Sequence, residues 1–414
     1  MVFVSGVLRD IISVRLSRQN CALILCVFVY ILVESYYLYG RFASHQSDLT
    51  LYYSTAVNLL EGKVPFRDFK LEYPFFALIP IVIPQILNGL TGGSFATYPF
   101  WLVVQNLFLG LAIGLLIYKT VGLHKKIAVY KYAVILIFSL PIFLYRFDPF
   151  PAFLTIFTIY SVLLKPFFSG ASLVTSIGAK LYTIIFLPVI GLFYLINRRY
   201  NVALLSLSGG LFIVLISFLA FFLMEENGIR DFLKYHQSRG IHLESFLGGL
   251  LLLLYQFGIG SVEVKHSFGA MHLVTPWTDE LLFFVKIITP LCFAALIIFI
   301  GWAFREQKLN ERKVPVLSLV HAFAAQLLLF LLLNKVLSPQ YMVWLLPIIP
   351  FCNSRIFLIF TAALMLTVFI FPGEYHYLIA RHISMVLVLN LRNLLLVWLL
   401  FEVLYVLWPR KQVQ

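Results

Sequence analysis

The first polar segment of the sequence contains an aspartate in a position suited to proton transfer. Asp48 lies just beyond the end of an apolar run and just before an amphipathic stretch, and the same segment closes with Glu72 and Tyr73. A carboxylate at the edge of a membrane can take the proton of an acceptor hydroxyl. An aspartate at this spacing is also typical of an N-cap, which stabilises the helix that follows. Spacing alone leaves both interpretations open.

Basic residues further along the chain are candidates for holding an anion. Lys180 stands between two apolar runs, where a lysine needs a partner or water. It either snorkels to the interface or holds a phosphate. His236, Arg239 and Glu244 share one short polar stretch, in which the arginine could bind an anion while Glu244 orients it. The histidine spacing matches no metal motif, so we predict no metal site.

Three further polar groups interrupt the apolar sequence. Arg146 and Asp148 stand where an interfacial anchor and an N-cap are expected, and they are also candidates for supporting a substrate. Gln340 and Tyr341 follow a helix-breaking proline, and the tyrosine equally suits an interfacial aromatic belt. The third group lies in the last apolar run and comprises Asn390, Arg392 and Asn393.

The chain as a whole is too apolar for a water-soluble protein. Of its 414 residues, 61% are hydrophobic and 12% are charged, and the mean hydropathy is +0.95. A soluble domain has about 25% charged residues, so lipid must cover most of this surface. Apolar runs of about 20 residues without period-2 alternation predict helices rather than a barrel. The net charge of +13 fits a cytoplasmic Lys/Arg excess, and no basic run typical of nucleic-acid binding occurs.

The predicted fold class is an all-α polytopic membrane protein, a single domain over 1–414 with both termini in the cytoplasm. This orientation places the basic clusters on one side of the membrane. Outer segments 41–73 and 225–279 hold most of the acidic residues and are predicted to cap the active site. The proline-rich segment 74–90 is predicted to be re-entrant or interfacial. About twelve membrane helices are predicted, at 20–39, 98–118, 131–146, 150–165, 168–181, 183–197, 201–223, 280–303, 314–333, 341–352, 355–372 and 383–408, the pair around 180 being two helices or one bent helix.

These motifs, in this order, resemble those of the GT-C membrane glycosyltransferases, and among them glycosyltransferase family 87, whose members include polyprenol-phosphate-mannose-dependent mannosyltransferases. The resemblance extends over nearly the whole chain and is more specific for the family than for the sugar. The matching residues are Asp48, Tyr52, Gly62, Glu72-Tyr73-Pro74, Arg146-Phe147-Asp148, Lys180-Leu181-Tyr182, Pro188, His236, Arg239-Gly240, Glu244-Ser245, Ser338-Pro339-Gln340-Tyr341, Trp344 and Arg392-Asn393.

The resemblance implies a polyprenyl-phosphate sugar donor at the outer leaflet of the cell membrane and an inverting transfer of a hexose, mannose first, to a lipid or glycan acceptor. Asp48 matches the family's first-loop aspartate and would be the general base. The leaving group is already a phosphate, so it needs positive charge rather than an acid. Lys180 and Arg239, assisted by His236, are the candidates to supply that charge.

The remaining candidate residues would contact substrate or support those that do. They are Glu72, Tyr73, Arg146, Asp148, Glu244, Gln340 and Tyr341. The chain departs from the family pattern at Phe75, where many relatives have a second proline, and at Gln46, where an acidic pair would need an aspartate. The second departure argues against a metal site in the first loop, and we predict no cofactor.

Two functions from other classes stay open. A transporter or flippase for lipid or solute would predict hydropathy symmetry between the two halves of the chain, and the outer segments 41–73 and 225–279 differ in length and pattern. The second open function is that of a binding or assembly subunit without catalytic activity. Replacement of Asp48 by Asn separates the enzyme from both, because transport and assembly should survive that change.

Overall fold

The computed structural model describes residues 45–120, 125–221, 230 and 234–409. The predicted helix at 20–39, the basic residues near both termini and part of the segment 225–279 lie outside these ranges. The helices of the described residues are α1 (Gln46–Leu60), α2 (Leu78–Leu90), α3 (Tyr98–Thr120), α4 (Lys125–Phe143), α5 (Pro149–Leu164), α6 (Pro166–Ala179), α7 (Phe186–Ile196), α8 (Tyr200–Phe221), α9 (Phe246–Gln256), α10 (Thr278–Glu311), α11 (Val316–Leu333), α12 (Ser354–Val368), α13 (Tyr375–Ile379) and α14 (Ile383–Leu407).

Seven helices in the described part of the chain are long and apolar enough to cross a membrane. They are α3, α4, α8, α10, α11, α12 with its continuation to Gly373, and α14. Each has at least 18 residues, which at about 1.5 Å per residue approaches the thickness of the hydrocarbon core. The chain is therefore a helical membrane protein. The runs predicted at 150–165, 168–181 and 183–197 form shorter apolar helices.

Prolines account for the clearest difference from the predicted helices. The helix predicted at 341–352 is wrong, because this segment forms two short 3-10 helices, Pro339–Leu345 and Ile349–Phe351. Pro339, Pro347 and Pro350 lack the backbone N–H that a continuous α-helix requires. In the segment 74–90, a 3-10 turn leads into α2, which has Pro84 in its interior.

The segment 225–279 contains more structure than a purely helical fold class allows. It includes α9 and a three-stranded antiparallel sheet, in the order β1-β3-β2, made of β1 (Ile241–His242), β2 (Glu263–Ser267) and β3 (Ala270–Val274). Phe268 and Gly269 connect β2 to β3 with positive φ angles of 48° and 67°, the geometry of a two-residue hairpin turn. The sequence did not predict this sheet, because its strands are short and lack regular alternation.

Glycines allow close packing around the helix that ends at the candidate lysine. α6 and α8 pack face to face, and a Cβ added at Gly170 would overlap the backbone of Ser206, while one at Gly209 would overlap Phe167. Small residues permit such close approach of membrane helices. At the C-terminal end of α6, Gly178 leaves room for the ring of Phe76. α6 is thus held against α8 near its N-terminal end, and its C-terminal end packs against the segment that follows the first loop.

The sheet and α9 form a second core with the last helix. Leu243, Leu252 and Leu273 from the segment 241–274 are buried with Met385 and Leu389 of α14. Burial of apolar side chains stabilises this contact, at about 25 cal/mol per Å² of apolar surface removed from water. The segment after β1 is therefore held on the N-terminal half of α14.

Candidate functional site

The tripeptide Arg146-Phe147-Asp148 lies between α4 and α5 and is held by an asparagine. Asn106, fully buried in α3, donates from Nδ2 to the carbonyl oxygens of Leu144 at 2.8 Å and Arg146 at 2.7 Å. Leu144 and Arg146 follow the end of α4, where the backbone oxygens have no helical partners, and the buried amide of Asn106 satisfies both of these oxygens. Asn106 therefore fixes the conformation from which both charged side chains of the tripeptide extend.

Asp48 forms an ion pair with Arg146. Oδ2 of Asp48 contacts Nη1 of Arg146, whose side chain is only 6% exposed, whereas that of Asp48 is 30% exposed. Asp48 lies in the first turn of α1, and the N-cap position is occupied by His45. The structure does not support the N-cap interpretation of Asp48. The side chain of Arg146 is buried against this carboxylate, whereas an interfacial anchor extends towards the lipid headgroups.

Asp148 pairs with Lys180. Oδ1 of Asp148 accepts hydrogen bonds from Nζ of Lys180 at 2.6 Å and from Nε1 of Trp344 at 2.6 Å. Asp148 occupies the N-cap position of α5 but makes no side-chain cap bond, so its carboxylate serves Lys180 rather than the helix. Charge-assisted hydrogen bonds of this length are among the stronger ones in proteins.

Lys180 interrupts the chain between two helices instead of lying in one bent helix. Its backbone is extended, with φ −156° and ψ 117°, between the end of α6 and the 3-10 helix Leu181–Ile185. Nζ lies 4.7 Å from the ring centre of Phe147, 5.6 Å from that of Tyr341 and 5.2 Å from that of Trp344. Aromatic faces attract a cation. The ammonium is thus enclosed rather than snorkelling, and the side chain keeps 17% of its surface exposed.

Stacked aromatic rings extend this enclosure. The indole of Trp344 stacks on Tyr182 at 3.7 Å and on Tyr341 at 4.0 Å between ring centres. The ring of Tyr341 thus packs beside Lys180 and Trp344 within the candidate site. Gln340 is half-buried at the start of the same 3-10 helix, and its side chain makes no hydrogen bond to any described residue.

The end of the first loop meets the polar stretch of the segment 225–279. Oε2 of Glu72 accepts a hydrogen bond from the hydroxyl of Tyr235 at 2.8 Å, and the backbone oxygen of Glu72 lies 3.1 Å from Nε2 of His236. Tyr73 packs edge-on against Phe147, with ring centres 4.8 Å apart. These contacts bring Glu72, Tyr73 and His236 next to the tripeptide that pairs with Asp48 and Lys180.

Arg239 differs from Asp48, Arg146, Asp148 and Lys180 because it has no protein partner in the described ranges. It forms no hydrogen bond or ion pair there, and its Nε is buried. Its charge acts on the hydroxyl of Tyr341, which also lies in the field of Asp148. Burial, and then the charge of Arg239, lowers the pKa of His236 below its ordinary value although its hydrogen bond to Glu72 opposes this. The positive charge of Arg239, which no described carboxylate neutralises, suits a negatively charged ligand.

Glu244 lies apart from Arg239 and contacts the last membrane helix. Its backbone oxygen accepts a hydrogen bond from Nη2 of Arg392 at 2.6 Å, and its Oε2 is buried without a partner among the described residues. No ion pair joins Glu244 to Arg239 within the ranges that the structure describes. The expectation that Glu244 orients Arg239 therefore finds no contact to support it.

The described residues contain no group of three or more His, Cys, Asp or Glu side chains that could hold a metal ion. Cys292 and Cys352 are unpaired. What the described site offers a ligand is thus carboxylates, cations and aromatic faces.

Three residues of the site were missed by sequence reasoning as functional candidates. Asn106 was detectable in principle, because an asparagine inside a membrane helix is unusual and needs a partner. Trp344 belonged to a matching motif, but its bond to Asp148 joins positions 196 apart in sequence. Tyr235 reaches Glu72 across a comparable gap, and no linear pattern indicates such a contact.

Comparison with protein-family models and with curated protein sequences finds no match to this chain.

Proposed function

We propose that this protein is a glycosyltransferase that moves a hexose, with mannose as the first candidate, from a polyprenyl-phosphate sugar to a lipid or glycan acceptor. The proposal places the reaction at the non-cytoplasmic face of the cell membrane and has it invert the anomeric carbon. It includes a GT-C-like fold with about twelve membrane helices and both termini in the cytoplasm. Its origin is the resemblance of the motifs described above, and its support is the arrangement of the charged residues.

One observation carries the proposal. The tripeptide Arg146-Phe147-Asp148 pairs at one end with Asp48 and at the other with Lys180. The candidate proton acceptor Asp48 and the candidate phosphate-binding cation Lys180 are therefore each paired with a residue of the same short turn. Glycosyl transfer from a phosphate needs these two groups close together, since the acceptor loses a proton while the phosphate gains charge.

Each residue has a role that its environment can support. The partly exposed carboxylate of Asp48 accepts the proton of the attacking hydroxyl, and Arg146 keeps it in place. Lys180 and Arg239 stabilise the phosphate oxygens, the lysine as a point charge and the arginine through a planar fork. Asp148 and Trp344 position Lys180. Glu72 and Tyr235 connect the two outer segments that close over the substrate.

The proposal is tested by incubating purified protein in detergent or liposomes with a short-chain polyprenyl-phosphate mannose and with its glucose analogue. Extracted cell-envelope lipids and glycans provide the acceptor. We expect release of polyprenyl phosphate and appearance of one new glycan species, which mass spectrometry identifies. Movement of an intact labelled lipid between leaflets, with no sugar transferred from any donor, would instead indicate a transporter.

The side of the membrane is tested separately by cysteine labelling. Ser47→Cys and Asn310→Cys, both at exposed positions, are made in a variant without the native cysteines. An impermeant maleimide applied to intact cells should label position 47 and leave position 310 unlabelled until the membrane is opened. Equal labelling of both positions in intact cells would refute the orientation.

A further inference from the structure

Lys335 lies beside the polar stretch that contains Arg239, and none of the roles above uses it. It belongs to the connection between α11 and the 3-10 helix Pro339–Leu345. Its Nζ donates a hydrogen bond to the carbonyl oxygen of Gln237 at 2.7 Å, and its own carbonyl accepts one from the backbone N–H of His242 at 2.8 Å. The two bonding partners of Lys335, Gln237 and His242, lie on either side of Arg239 in the sequence.

This corner of the site has a surplus of positive charge. Arg239 and Lys335 take part in none of the ion pairs among the described residues, whereas Arg146 and Lys180 each have a carboxylate. Lys286, exposed on α10, acts on Lys335 with a further positive charge. Like charges repel, and an anion bound between them offsets that repulsion. No carboxylate forms an ion pair with Arg239 or Lys335 within the ranges that the structure describes.

We propose that Lys335 is a further catalytic residue, which together with Arg239 stabilises the second negative charge that appears on the donor phosphate when the sugar leaves. This inference rests on the proposed function. It assigns to a lysine on the α11 connection a part of the leaving-group stabilisation that was expected from Lys180 and Arg239 with the assistance of His236.

The charge balance of the reaction explains why a second unpaired cation is useful. The acceptor oxygen forms a bond to the anomeric carbon while the bond from that carbon to the phosphate oxygen breaks. The electron pair of the broken bond stays on that oxygen, and the acceptor proton goes to Asp48. A phosphodiester with one negative charge becomes a phosphomonoester that near neutral pH has about two. Groups that act only as this charge develops accelerate the reaction.

The surroundings of Lys335 make its contribution dependent on pH. Burial, and then the charges of Lys286 and Arg239, lower the pKa of Lys335 to about 8. Two other titratable groups face Lys335. The pKa of His236 is lowered, mainly by burial. The pKa of His272 is lowered to about 4, first by burial and then by the charge of Arg239. Both histidines are neutral at alkaline pH. The stabilising charge of Lys335 is present below pH 8 and is lost as the pH rises through that value.

The first test is the pH profile of kcat/KM, which reports groups of the free enzyme. Wild type should lose activity above about pH 8. Lys335→Arg should keep activity to higher pH, because arginine does not lose its proton in that range. Glu244→Gln serves as a control, because burial raises the pKa of Glu244 to about 8 as well; this variant should keep the wild-type alkaline limb. An unchanged alkaline limb in Lys335→Arg would overturn the proposal.

The second test measures binding and does not require turnover. Farnesyl phosphate, a monoester, and farnesyl methyl phosphate, a diester with one charge, are titrated into wild type, Lys335→Gln and Lys265→Gln. Lys265 is an exposed lysine of β2 paired with Glu263, and it is the matched control. We expect wild type and the control to favour the monoester about tenfold or more, and Lys335→Gln to lose most of that preference.

The outcomes separate the two proposals. A preference for the monoester that persists in folded Lys335→Gln overturns the role of Lys335 and leaves the transferase intact if transfer is observed. Lys335-dependent preference without transfer from any sugar donor supports the anion site and counts against the transferase. If Lys335→Gln does not fold, Lys335→Arg decides, since it should keep the monoester preference and alter the pH profile.

Discussion

Two clusters in this protein bury charged side chains, and they are built differently. Beside α5, Arg146 and Asp148 each meet a side chain of opposite charge, and those partners, Asp48 and Lys180, remain 30% and 17% exposed. Between the segment 241–256 and α14, Arg392 is fully buried and donates to a neutral backbone oxygen. Its Nε and Nη1 have no partner among the described residues.

The difference indicates what each cluster is for. A paired and partly open charge can exchange part of its protein contacts for a ligand, and this is what catalysis and binding require. A sealed charge bound to backbone atoms can only hold chain segments together. Asn390 and Asn393 of α14 also donate to backbone oxygens, those of Gly249 and Ser245. The first cluster therefore suits the proposed reaction site, and the second attaches the segment 241–256 to the last helix.

Breaking the Asp148–Lys180 pair should have the largest effect on stability. Asp148→Asn leaves Lys180 buried without a counter-charge, which costs about 3–5 kcal/mol, so the unfolding midpoint in detergent should fall sharply. The double variant Asp148→Asn/Lys180→Met removes the stranded charge and should recover most of the midpoint without recovering transfer. A single variant as stable as wild type would contradict the paired-charge description of this cluster.

The second cluster should make folding sensitive to pH. Burial raises the pKa of Glu244 to about 8 from an ordinary value of 4.5, against an opposing effect of Arg392. The folded protein then keeps a proton that the unfolded chain releases, so stability falls as the pH rises from 4.5 to 8. The slope is at most about 1.4 kcal/mol per pH unit. Unfolding midpoints measured across this range should depend less on pH in Glu244→Gln, and an equal slope in both proteins would refute the assignment.

The unpartnered arginine should affect turnover and not stability. Arg239→Lys keeps the charge but loses the planar fork, so we expect roughly tenfold lower kcat/KM with an unchanged unfolding midpoint. Arg67→Lys is the matched control, because Arg67 is an exposed arginine paired with Asp68. Wild-type turnover in Arg239→Lys would remove the arginine from phosphate binding.

The smallest effect is expected at Arg392. Arg392→Met removes a charge that costs free energy to bury and loses one hydrogen bond, and these changes largely offset each other, leaving about 1 kcal/mol or less. Transfer and the unfolding midpoint should both stay near wild type. A loss of transfer comparable to that of a reaction-site variant would show that the second cluster is not merely structural.

The helical membrane architecture could be predicted because it follows from local composition. Runs such as 98–118 and 383–408 coincide with α3 and α14 to within a few residues, since about 20 apolar residues have few alternatives in lipid. The helix predicted at 341–352 was wrong, because three prolines in or beside this segment prevent a continuous α-helix. The sheet of 241–274 was not predictable from periodicity, because β1 has two residues and β2 and β3 have five each.

The residues of the site were predictable by type, whereas their contacts were not. Asp48, Arg146, Asp148 and Lys180 stood out as charges next to apolar runs, but the sequence offered an N-cap, an anchor and a snorkelling lysine as equal interpretations. Only the spatial pairing of Asp48 with Arg146 and of Asp148 with Lys180 separates those interpretations. The hydrogen bond from Trp344 to Asp148 depends on how the whole chain folds, and no local sequence pattern indicates it.

The most direct test of the account is Asp48→Asn in purified protein supplied with a polyprenyl-phosphate sugar and the acceptor. The substitution keeps the size of the side chain and one hydrogen-bond acceptor for Arg146, but it removes the ability to take a proton. We predict that transfer by the folded protein falls by about 10²–10⁴-fold, while donor binding stays close to wild type. The unfolding midpoint should fall as well, because Arg146 is buried and loses its counter-charge. Transfer within a few-fold of wild type would contradict the assignment of Asp48 as the base.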